Sequence, residues 1–332
     1  MSLPRAIQAA GITLLLGLLG LLGLLAALPA RAEGLPAPTW RVALIGDVPY
    51  SEAERRELPL MLEAIAQAGA RVVIHVGDFK HGGGRCDNTV FADRLALFQA
   101  SPVPLVYVPG DNDWTDCHRA SNGSYEPEER LEQLRRLFWT DNRSLGRKKL
   151  SLERQAGPYR EHSRFILGPV LFVTLNLPGG DNNWGKTDVP SEEFRRRHPA
   201  VLDWLTNSFA LARRKKLAGV VVLVQANPGL KHFAQGLGHR SYLQFLETLR
   251  GETERFKGQV VLVHGDTHQA RVDHPLLDPS RRPQQRFTRV ESYGYPSMGW
   301  IEAVIDPHNP ELFSFTLHPW PPIPTPTPSP AQ

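Results

Sequence analysis

Val261-Leu-Val-His-Gly-Asp-Thr-His268 is an apolar, β-branched run that stops at a glycine and then presents a carboxylate and an imidazole two positions apart. This pattern is typical of a buried strand that delivers polar side chains from its carboxyl end. Three earlier apolar runs, Arg41–Gly46, Arg71–Gly77 and Leu105–Gly110, are each followed directly by an aspartate. Polar ends that recur after successive strands predict one shared site.

Segments with helical periodicity separate these strands, which predicts a parallel sheet with right-handed crossovers in a mixed α/β layer structure. Later apolar runs predict a hairpin and then three further antiparallel strands, with no linker composition between the two halves. The predicted helices are Glu52–Ala68, Thr89–Ala100, Pro127–Trp139, Ala200–Lys216 and Ser241–Phe256, and the late strands are Gln285–Val290, Trp300–Ile305 and Leu312–His318.

The two ends of the chain differ in composition from the rest. Arg5 precedes an uncharged stretch that runs to Leu28 and is followed by the small-x-small cleavage site Ala30-Arg31-Ala32, which predicts a secretory signal peptide over residues 1–32. The alternative is an uncleaved membrane anchor, because the apolar stretch reaches the lower limit for spanning a bilayer. Residues 319–332 are proline-rich and predict an extended, disordered tail, so that one domain spans residues 33–318. An export signal predicts a periplasmic or extracellular location.

The charge balance argues against a nucleic-acid partner. Removal of residues 1–32 takes away Arg5 and Arg31 and no acidic residue, so 38 basic against 34 acidic residues become 36 against 34. A nearly neutral chain lacks the net basic surface that nucleic-acid binding requires, and clusters such as Arg213–Lys216 are read as solvated helix faces. Contact with a membrane is expected only through an uncleaved N-terminal segment.

The two cysteines, Cys86 and Cys117, follow the aspartate turns at residues 78 and 111. In an exported chain an even count favours a disulfide, which would join the two loops. Two free thiols are the alternative.

The polar strand ends are candidates for metal ligands. In open α/β sheets ligands bind outside the carboxyl ends of the strands, and a fifth strand ends in Gln225-Ala-Asn227. A single Gly-Asp is commonly a turn, but several carboxylates crowded together would repel one another unless cations neutralised them. The residues predicted to converge are Asp47, Asp78, Asp111, Gln225, Asp266 and His268.

The order of these motifs resembles the calcineurin-like metallophosphoesterases, whose pattern is Asp-x-His, Gly-Asp, Gly-Asn-His-Asp/Glu, a lone His and Gly-His-x-His. The resemblance implies a four-layer α/β/β/α sandwich of two mixed β-sheets with a dinuclear metal centre. Carried over by position, it places Asp78 between two metals, Asp47 and His268 on the first, and Asp111, Gln225 and Asp266 on the second.

The departures from the family pattern follow one direction. Pro49 stands at the histidine of Asp-x-His, so the first metal would need water, Tyr50 or His264 as an additional ligand. Elsewhere imidazoles are replaced by carboxylate or amide oxygens, as at Gln225 and Asp266. Oxygen ligands favour magnesium, manganese or calcium over zinc or iron.

Further residues near the turns are candidates for contacts with a phosphate. Asn112 corresponds to the family's phosphate-facing histidine, and His118 or Arg119 could replace that histidine in leaving-group or phosphate contact. Lys80 and Arg85 could bind phosphate oxygens. Each of these four charged residues could equally be a solvated loop side chain. Glu291 lies in a conspicuously aromatic and polar segment, and the sequence assigns it no role.

Three functions therefore remain open at this point. One is an exported metal-dependent phosphoesterase that hydrolyses a small phosphomonoester or phosphodiester with metal-activated water. The second is a non-catalytic binding protein that keeps the fold, since Pro49 removes a ligand and Asn112 removes an acid. The third is an envelope-anchored interaction protein, suggested by the signal segment and the proline-rich tail.

Overall fold

Two β-sheets stacked face to face form the centre of the protein. The computed structural model describes residues 38–321. The predicted signal segment and the tail beyond residue 321 lie outside the described residues. The first sheet has the order β12-β11-β1-β2-β3 and the second has the order β4-β5-β6-β7-β8-β10-β9.

The first sheet combines three parallel strands with an antiparallel edge. In it β1 pairs parallel with β2 and antiparallel with β11, whose other neighbour is β12. The N-terminal strands of the chain are therefore completed by its last two strands. The bounds are β1 Trp40–Ile45, β2 Ala70–His75, β3 Leu105–Tyr107, β11 Gly299–Ile305 and β12 Phe313–Pro319.

The second sheet is built mainly from the second half of the chain. β6, β7, β8 and β10 run parallel, while β4, β5 and β9 pair antiparallel at its two edges. The bounds are β4 Glu153–Arg154, β5 Ser163–Leu167, β6 Val170–Thr174, β7 Gly219–Leu223, β8 Gln259–His264, β9 Arg271–Asp273 and β10 Phe287–Glu291.

Helices cover the outer face of each sheet. Apolar residues of α1 to α3 pack on the first sheet, and those of α4 to α6 pack on the second. The bounds are α1 Glu52–Gln67, α2 Asn88–Gln99, α3 Pro127–Phe138, α4 Glu192–Arg214, α5 Leu230–Ala234 and α6 Arg240–Arg255. Two short 3₁₀ turns, Thr115–His118 and Ala120–Asn122, follow β3.

Alternation along the strands explains why four layers form. In β8, Val261 and Val263 pack between the sheets, whereas Val260 and Leu262 pack against the helices. Both faces of a central strand are thus buried, which is why such strands are continuous apolar runs. The predicted four-layer α/β/β/α sandwich with two mixed sheets is confirmed.

Two details of the predicted fold were wrong. β10 pairs parallel with β8, with Phe287 opposite Val260, rather than antiparallel. The residue pattern of a strand does not show whether it runs parallel or antiparallel to its neighbour. The direction of β10 relative to β8 depends on the connection through β9. Helix α4 begins at Glu192, eight residues before the predicted start at Ala200, and includes Pro199. The Ser191 hydroxyl caps the helix by accepting from the Phe194 backbone N–H.

The predicted disulfide between Cys86 and Cys117 is present, with a Cα–Cα distance of 5.7 Å. It joins the loop after β2 to the 3₁₀ turn after β3. Within residues 38–321, none of the helices is long and apolar enough to cross a membrane. At the other end of the domain the Trp320 indole donates to Glu57 at 3.1 Å.

Candidate active site

The carboxyl ends of strands from both sheets meet at one edge of the sandwich. Asp47 and Asp78 follow β1 and β2 of the first sheet, and Asp266 follows β8 of the second. The Asp266 backbone N–H donates to both carboxylate oxygens of Asp47, at 3.1 and 3.2 Å, so the two sheets are joined within the site itself.

Four of the predicted ligand residues have a left-handed backbone. The φ angles are +52° at Asp47, +58° at Asp78, +76° at Asp266 and +56° at His268. Aspartate and histidine tolerate this region better than most residues, but each such position is strained and persists only where the surroundings fix it. Such a concentration of left-handed residues is typical of functional sites.

The Asp78 carboxylate is surrounded by hydrogen-bond donors. Asn112 donates to it from its backbone N–H at 3.0 Å and from its side-chain amide at 2.8 Å. The Tyr50 hydroxyl and the Gln225 amide each donate at 3.1 Å. Burial, followed by the charges of Asp111 and its neighbours, raises the pKa of Asp78 well above its ordinary value. These donors stabilise a carboxylate that burial alone would protonate.

Asp113 is a structural carboxylate rather than a member of the open site. It accepts from the backbone N–H groups of Asp78, Phe79 and Gly110 at 2.8 to 3.0 Å and from the Tyr107 hydroxyl at 2.7 Å. It thereby ties the turn after β2 to the turn after β3, which fixes the distance between the Asp78 and Asp111 side chains.

His268 faces the Asp47 carboxylate. Its Nδ1 bonds the Tyr295 backbone carbonyl at 2.7 Å, so Nδ1 carries a proton and Nε2 points to Asp47 Oδ1, 3.5 Å away. The Asp47 carboxylate raises the pKa of His268. Burial raises the pKa of Asp47, against the opposing effect of His268. In this arrangement the charges of the imidazolium and the carboxylate offset each other.

Asp111 and Asp266 form the open part of the site. A Cβ at Gly179 would lie 2.8 Å from Asp266 Oδ1 and 2.9 Å from Asp111 Oδ1, so both oxygens face the same glycine. Asp111 Oδ1 is buried and has no hydrogen-bond partner among the described residues. Burial, followed by repulsion from Asp266, raises the pKa of Asp111 to about 8, and burial raises that of Asp266 to about 6.

Gln225 joins the open pair to Asp78. Its Oε1 accepts the Gly179 backbone N–H at 2.5 Å, and its Nε2 donates to Asp78 Oδ2 at 3.1 Å. The orientation of the amide follows from these two partners, because one is a donor and the other an acceptor. The structure therefore directs the nitrogen of Gln225, and not its oxygen, toward the carboxylates.

A left-handed turn encloses this side of the site. Gly180, Asp181, Asn182 and Asn183 have successive φ angles of +54°, +61°, +52° and +55°. Glycine, asparagine and aspartate are the residues that adopt this conformation at the least cost. The composition of residues 181–184 favours a surface turn, with lining of the cleft as the alternative, and the structure places this turn beside the Asp111 and Asp266 carboxylates.

The turn is fixed from behind by a buried arginine of α4. The Arg197 guanidinium donates to the Asn182 side-chain and backbone oxygens at 2.9 and 3.0 Å and pairs with Glu193 at 2.6 Å. The Tyr242 hydroxyl bridges the Asn182 N–H and the Pro178 carbonyl. Sequence reasoning missed Arg197, and the only signal for it is the Glu193-to-Arg197 spacing of an (i, i+4) pair.

The carboxylates at this edge fall into two pairs. The Asp111 and Asp266 oxygens suit a hard divalent cation, whereas Asp47 and Asp78 already accept hydrogen bonds from the protein. The orphaned Asp111 oxygen and the facing Asp266 oxygen are the ligands such cations prefer. Asp47 and Asp78 are engaged by His268, Tyr50 and amide donors. Within the described residues, no group of three or more His, Cys, Asp or Glu side chains is arranged to hold a metal ion.

Of the predicted phosphate-binding residues, Lys80 is buried and Arg85 is exposed. Burial lowers the pKa of Lys80, although the charges of Asp113 and Asp78 oppose this effect. Arg85 pairs with Asp87 at 2.7 Å. Lys80, Arg85 and Tyr50 line a cavity of about 320 Å³, and the Tyr50 hydroxyl also donates to the Asp78 carboxylate.

The remaining candidates take different positions. The Asn112 amide donates to Asp78 and to the Tyr50 hydroxyl, which places it inside the site. Arg119 pairs with Asp116 at 2.6 Å, and a Cβ at Gly82 would lie 3.8 Å from its guanidinium and 3.0 Å from Asn112 Oδ1. His118 is exposed, and its Nδ1 bonds the Thr115 carbonyl. The structure thus brings Arg119 near Asn112.

The calcineurin-like phosphoesterase family matches this chain over residues 41–270. The chain belongs to the calcineurin-like phosphoesterase family. The match runs from β1 to the start of the segment before β9, and it includes every predicted ligand residue. The predicted family resemblance is therefore confirmed. None of the curated proteins is similar enough in sequence to match the chain.

Solved structures share the fold at low sequence identity. A dimetal phosphatase from Danio rerio is 15% identical, with 81% of this chain and 93% of that chain covered and a TM-score of 0.48. GAP50, described as the anchor in the inner membrane complex of Plasmodium, is 11% identical, with 85% and 84% covered and a TM-score of 0.51. A purple acid phosphatase from yellow lupin seeds is 14% identical, with 81% and 50% covered and a TM-score of 0.49.

Proposed function

We propose that this member of the calcineurin-like phosphoesterase family is a metal-dependent hydrolase of phosphomonoesters or phosphodiesters. The observation that carries the proposal is the buried Asp111 oxygen that faces Asp266 without a protein donor. A protein that only conserved the fold would gain stability by pairing or replacing this carboxylate. Keeping it unpaired is expected where a cation supplies the missing partner.

Asp111, Asp266 and Asp78 would hold one cation, and Asp47 with His268 would hold a second. Family members are typically dimetal-dependent. The oxygen-rich donor set favours magnesium, manganese or calcium. When bound, such cations supply Lewis acidity and lower the pKa of water to the range in which it attacks phosphorus. Gln225 would keep the Gly179 backbone beside the Asp111 and Asp266 carboxylates.

The chain's own residues would bind and orient the phosphoryl group. Lys80 brings a buried positive charge to the cavity that it lines with Tyr50. Asn112 and Arg119 offer an amide and a guanidinium close to one another, and guanidinium groups bind phosphate oxygens through two parallel hydrogen bonds. Arg85 would contact the outer part of the substrate. The cavity of about 320 Å³ suits a small phosphorylated molecule.

Export to the periplasm or to the outside of the cell is part of the same proposal. It is supported by the predicted signal peptide and by the Cys86–Cys117 disulfide, since disulfides persist in oxidising compartments. Mass analysis of the mature N-terminus after expression with the full leader tests it. A chain that starts at Glu33 in the soluble fraction is expected.

The activity is tested with chelator-treated protein resupplied with manganese, magnesium, calcium or zinc. We expect hydrolysis of at least one phosphoester in a broad panel and a loss of at least a hundredfold in Asp78→Asn. The matched control is Asp188→Asn, because the Asp188 side chain is fully exposed at 104% of its reference area. Absence of hydrolysis with every metal and substrate would refute the proposal.

The alternative is a non-catalytic binding protein, and a specific observation favours it. Protein donors already match the Asp47 and Asp78 carboxylates, as they would in a centre that has lost its metals. Metal content separates the two functions. Two equivalents of manganese per chain in equilibrium dialysis favour the enzyme, whereas none favours the binding protein.

A further inference from the structure

Glu291 is a fully buried carboxylate on β10, directly beside the loop that carries Asp266 and His268. In the sheet it stands opposite His264 of β8 on one side and Arg271 of β9 on the other. These two residues bracket the loop, whose residues 265–270 connect β8 to β9. The Glu291 side chain therefore lies between the two ends of the loop.

Two residues of the ligand loop, one on each side of His268, donate to this carboxylate. Glu291 Oε1 accepts the Thr267 hydroxyl and, at 3.0 Å, the Gln269 backbone N–H. The Arg271 guanidinium pairs with Oε2. Thr267 lies between Asp266 and His268, and Gln269 follows His268, so the contacts enclose the histidine.

A second set of contacts extends from Thr267 to Asp266. The Thr267 hydroxyl oxygen accepts from the Asn227 side-chain amide at 3.0 Å, and the Asn227 backbone N–H donates to Asp266 Oδ2 at 3.0 Å. Glu291 is thereby connected through Thr267 and Asn227 to the carboxylate of Asp266. The connection spans the loops after β7 and β8.

We propose that Glu291 is a positioning residue that sets the Asp266 and His268 side chains for cation binding, an inference that rests on the proposed function. The backbone at both ligands is left-handed, with φ of +76° and +56°, and the loop holds this conformation only if other contacts fix it. A buried carboxylate is costly unless its oxygens are satisfied. Here the loop donates two hydrogen bonds to Oε1, and the Arg271 guanidinium supplies the opposite charge beside Oε2, which accepts no hydrogen bond from the described residues.

The test compares Glu291→Gln with Glu252→Gln in the full chain. Glutamine can offer its oxygen to the loop or to Arg271, but its amide nitrogen must then face a donor on the other side. Glu252 of α6 is the matched control, because its side chain is 2% exposed and it pairs with Arg213 of α4 and Arg255 of α6, away from the loop. The readouts are manganese affinity by electron paramagnetic resonance and hydrogen exchange of residues 265–270.

We expect Glu291→Gln to weaken manganese binding roughly tenfold and to accelerate exchange in the loop. Glu252→Gln should change neither. Thr267→Val removes one of the two loop contacts and should have a smaller effect that is not additive with Glu291→Gln. Thermal unfolding of the three variants is measured in parallel, so that the exchange rates are corrected for changes in overall stability.

If Glu291→Gln binds manganese as the wild type does and its loop exchanges at the wild-type rate, the positioning role is refuted. If the wild-type protein binds no manganese, the proposed function fails. The exchange of the loop then still decides whether Glu291 holds it, so the two failures are distinguishable.

Discussion

Replacing Asp111 by asparagine should stabilise the cation-free protein at alkaline pH and weaken its response to divalent cations. Burial and the charge of Asp266 raise the pKa of Asp111 from 3.8 to about 8. A carboxyl group whose pKa is higher in the folded state binds more protons there than in the unfolded state. The stability that it contributes is therefore complete below about pH 4 and is lost as the pH rises through about 8.

The size of the effect follows from that pKa difference. A rise from 3.8 to about 8 corresponds to about 6 kcal/mol of unfolding free energy. For a domain of this size 1 kcal/mol changes the melting temperature by about 2 °C. About 4 kcal/mol of this loss falls between pH 5 and pH 9, so Asp111 alone should lower the melting temperature of the cation-free wild type by roughly 8 °C over that range. Asp111→Asn removes this part of the slope, because the amide carries no charge to repel Asp266, whereas Asp78 and Asp266 keep their own contributions.

Differential scanning fluorimetry in chelator, from pH 5 to pH 9, measures the slope for the wild type, Asp111→Asn and the exposed control Asp188→Asn. Manganese at a hundredfold excess over its Kd should then stabilise the wild type by about 2.7 kcal/mol, or about 5 °C, for each cation bound, and Asp111→Asn should lose the share that comes from the cation at Asp111. If Asp111→Asn retains the wild-type pH slope, or responds equally to manganese, Asp111 is not the open ligand and the reasoning fails.

Three further predictions concern the surroundings of the site. Lys80→Met should raise KM for a phosphoester roughly tenfold, because a buried positive charge beside the carboxylates is lost, and an unchanged KM in steady-state kinetics would contradict this. Asp113→Asn should lower the unfolding free energy in urea by about 3 kcal/mol, since its new amide N–H groups face backbone donors. An equally stable variant would show that the cross-link is dispensable. Replacing Cys86 and Cys117 by serine should lower the free energy of unfolding by about 3 kcal/mol, because the disulfide restricts the unfolded chain. An unchanged melting temperature would contradict this.

Much of the fold could be predicted from local patterns. In β1, Val42 and Leu44 pack between the two sheets, whereas Ala43 and Ile45 pack against the helices. A short, continuous apolar run therefore predicts a strand that is buried on both faces. The direction of β10 could not be predicted, because no local pattern distinguishes parallel from antiparallel pairing. The true start of α4 was missed, and its first two turns, residues 192–198, are mainly charged rather than apolar.

The candidate site could be predicted only as a set of positions. The sequence places Asp47, Asp78 and Asp111 at strand ends, and the structure brings them to one edge. The partners that decide their chemistry lie far away in the chain, as with Asp47 and the Asp266 backbone, which are 219 residues apart. The orientation of Gln225 follows from the Gly179 backbone, and nothing in the sequence around residue 225 encodes it.

The pairing of β1 with β11 limits where the chain can be truncated. β1 delivers Asp47, yet one of its two neighbours in the sheet comes from residues 299–305, beyond the family match that ends at residue 270. A fragment cut at that boundary would leave two parallel strands, β1 and β8, with unpaired backbone groups, and exposed strand edges promote aggregation. The minimal unit for folding therefore extends to β12, and assembly must wait until the last strands have left the ribosome.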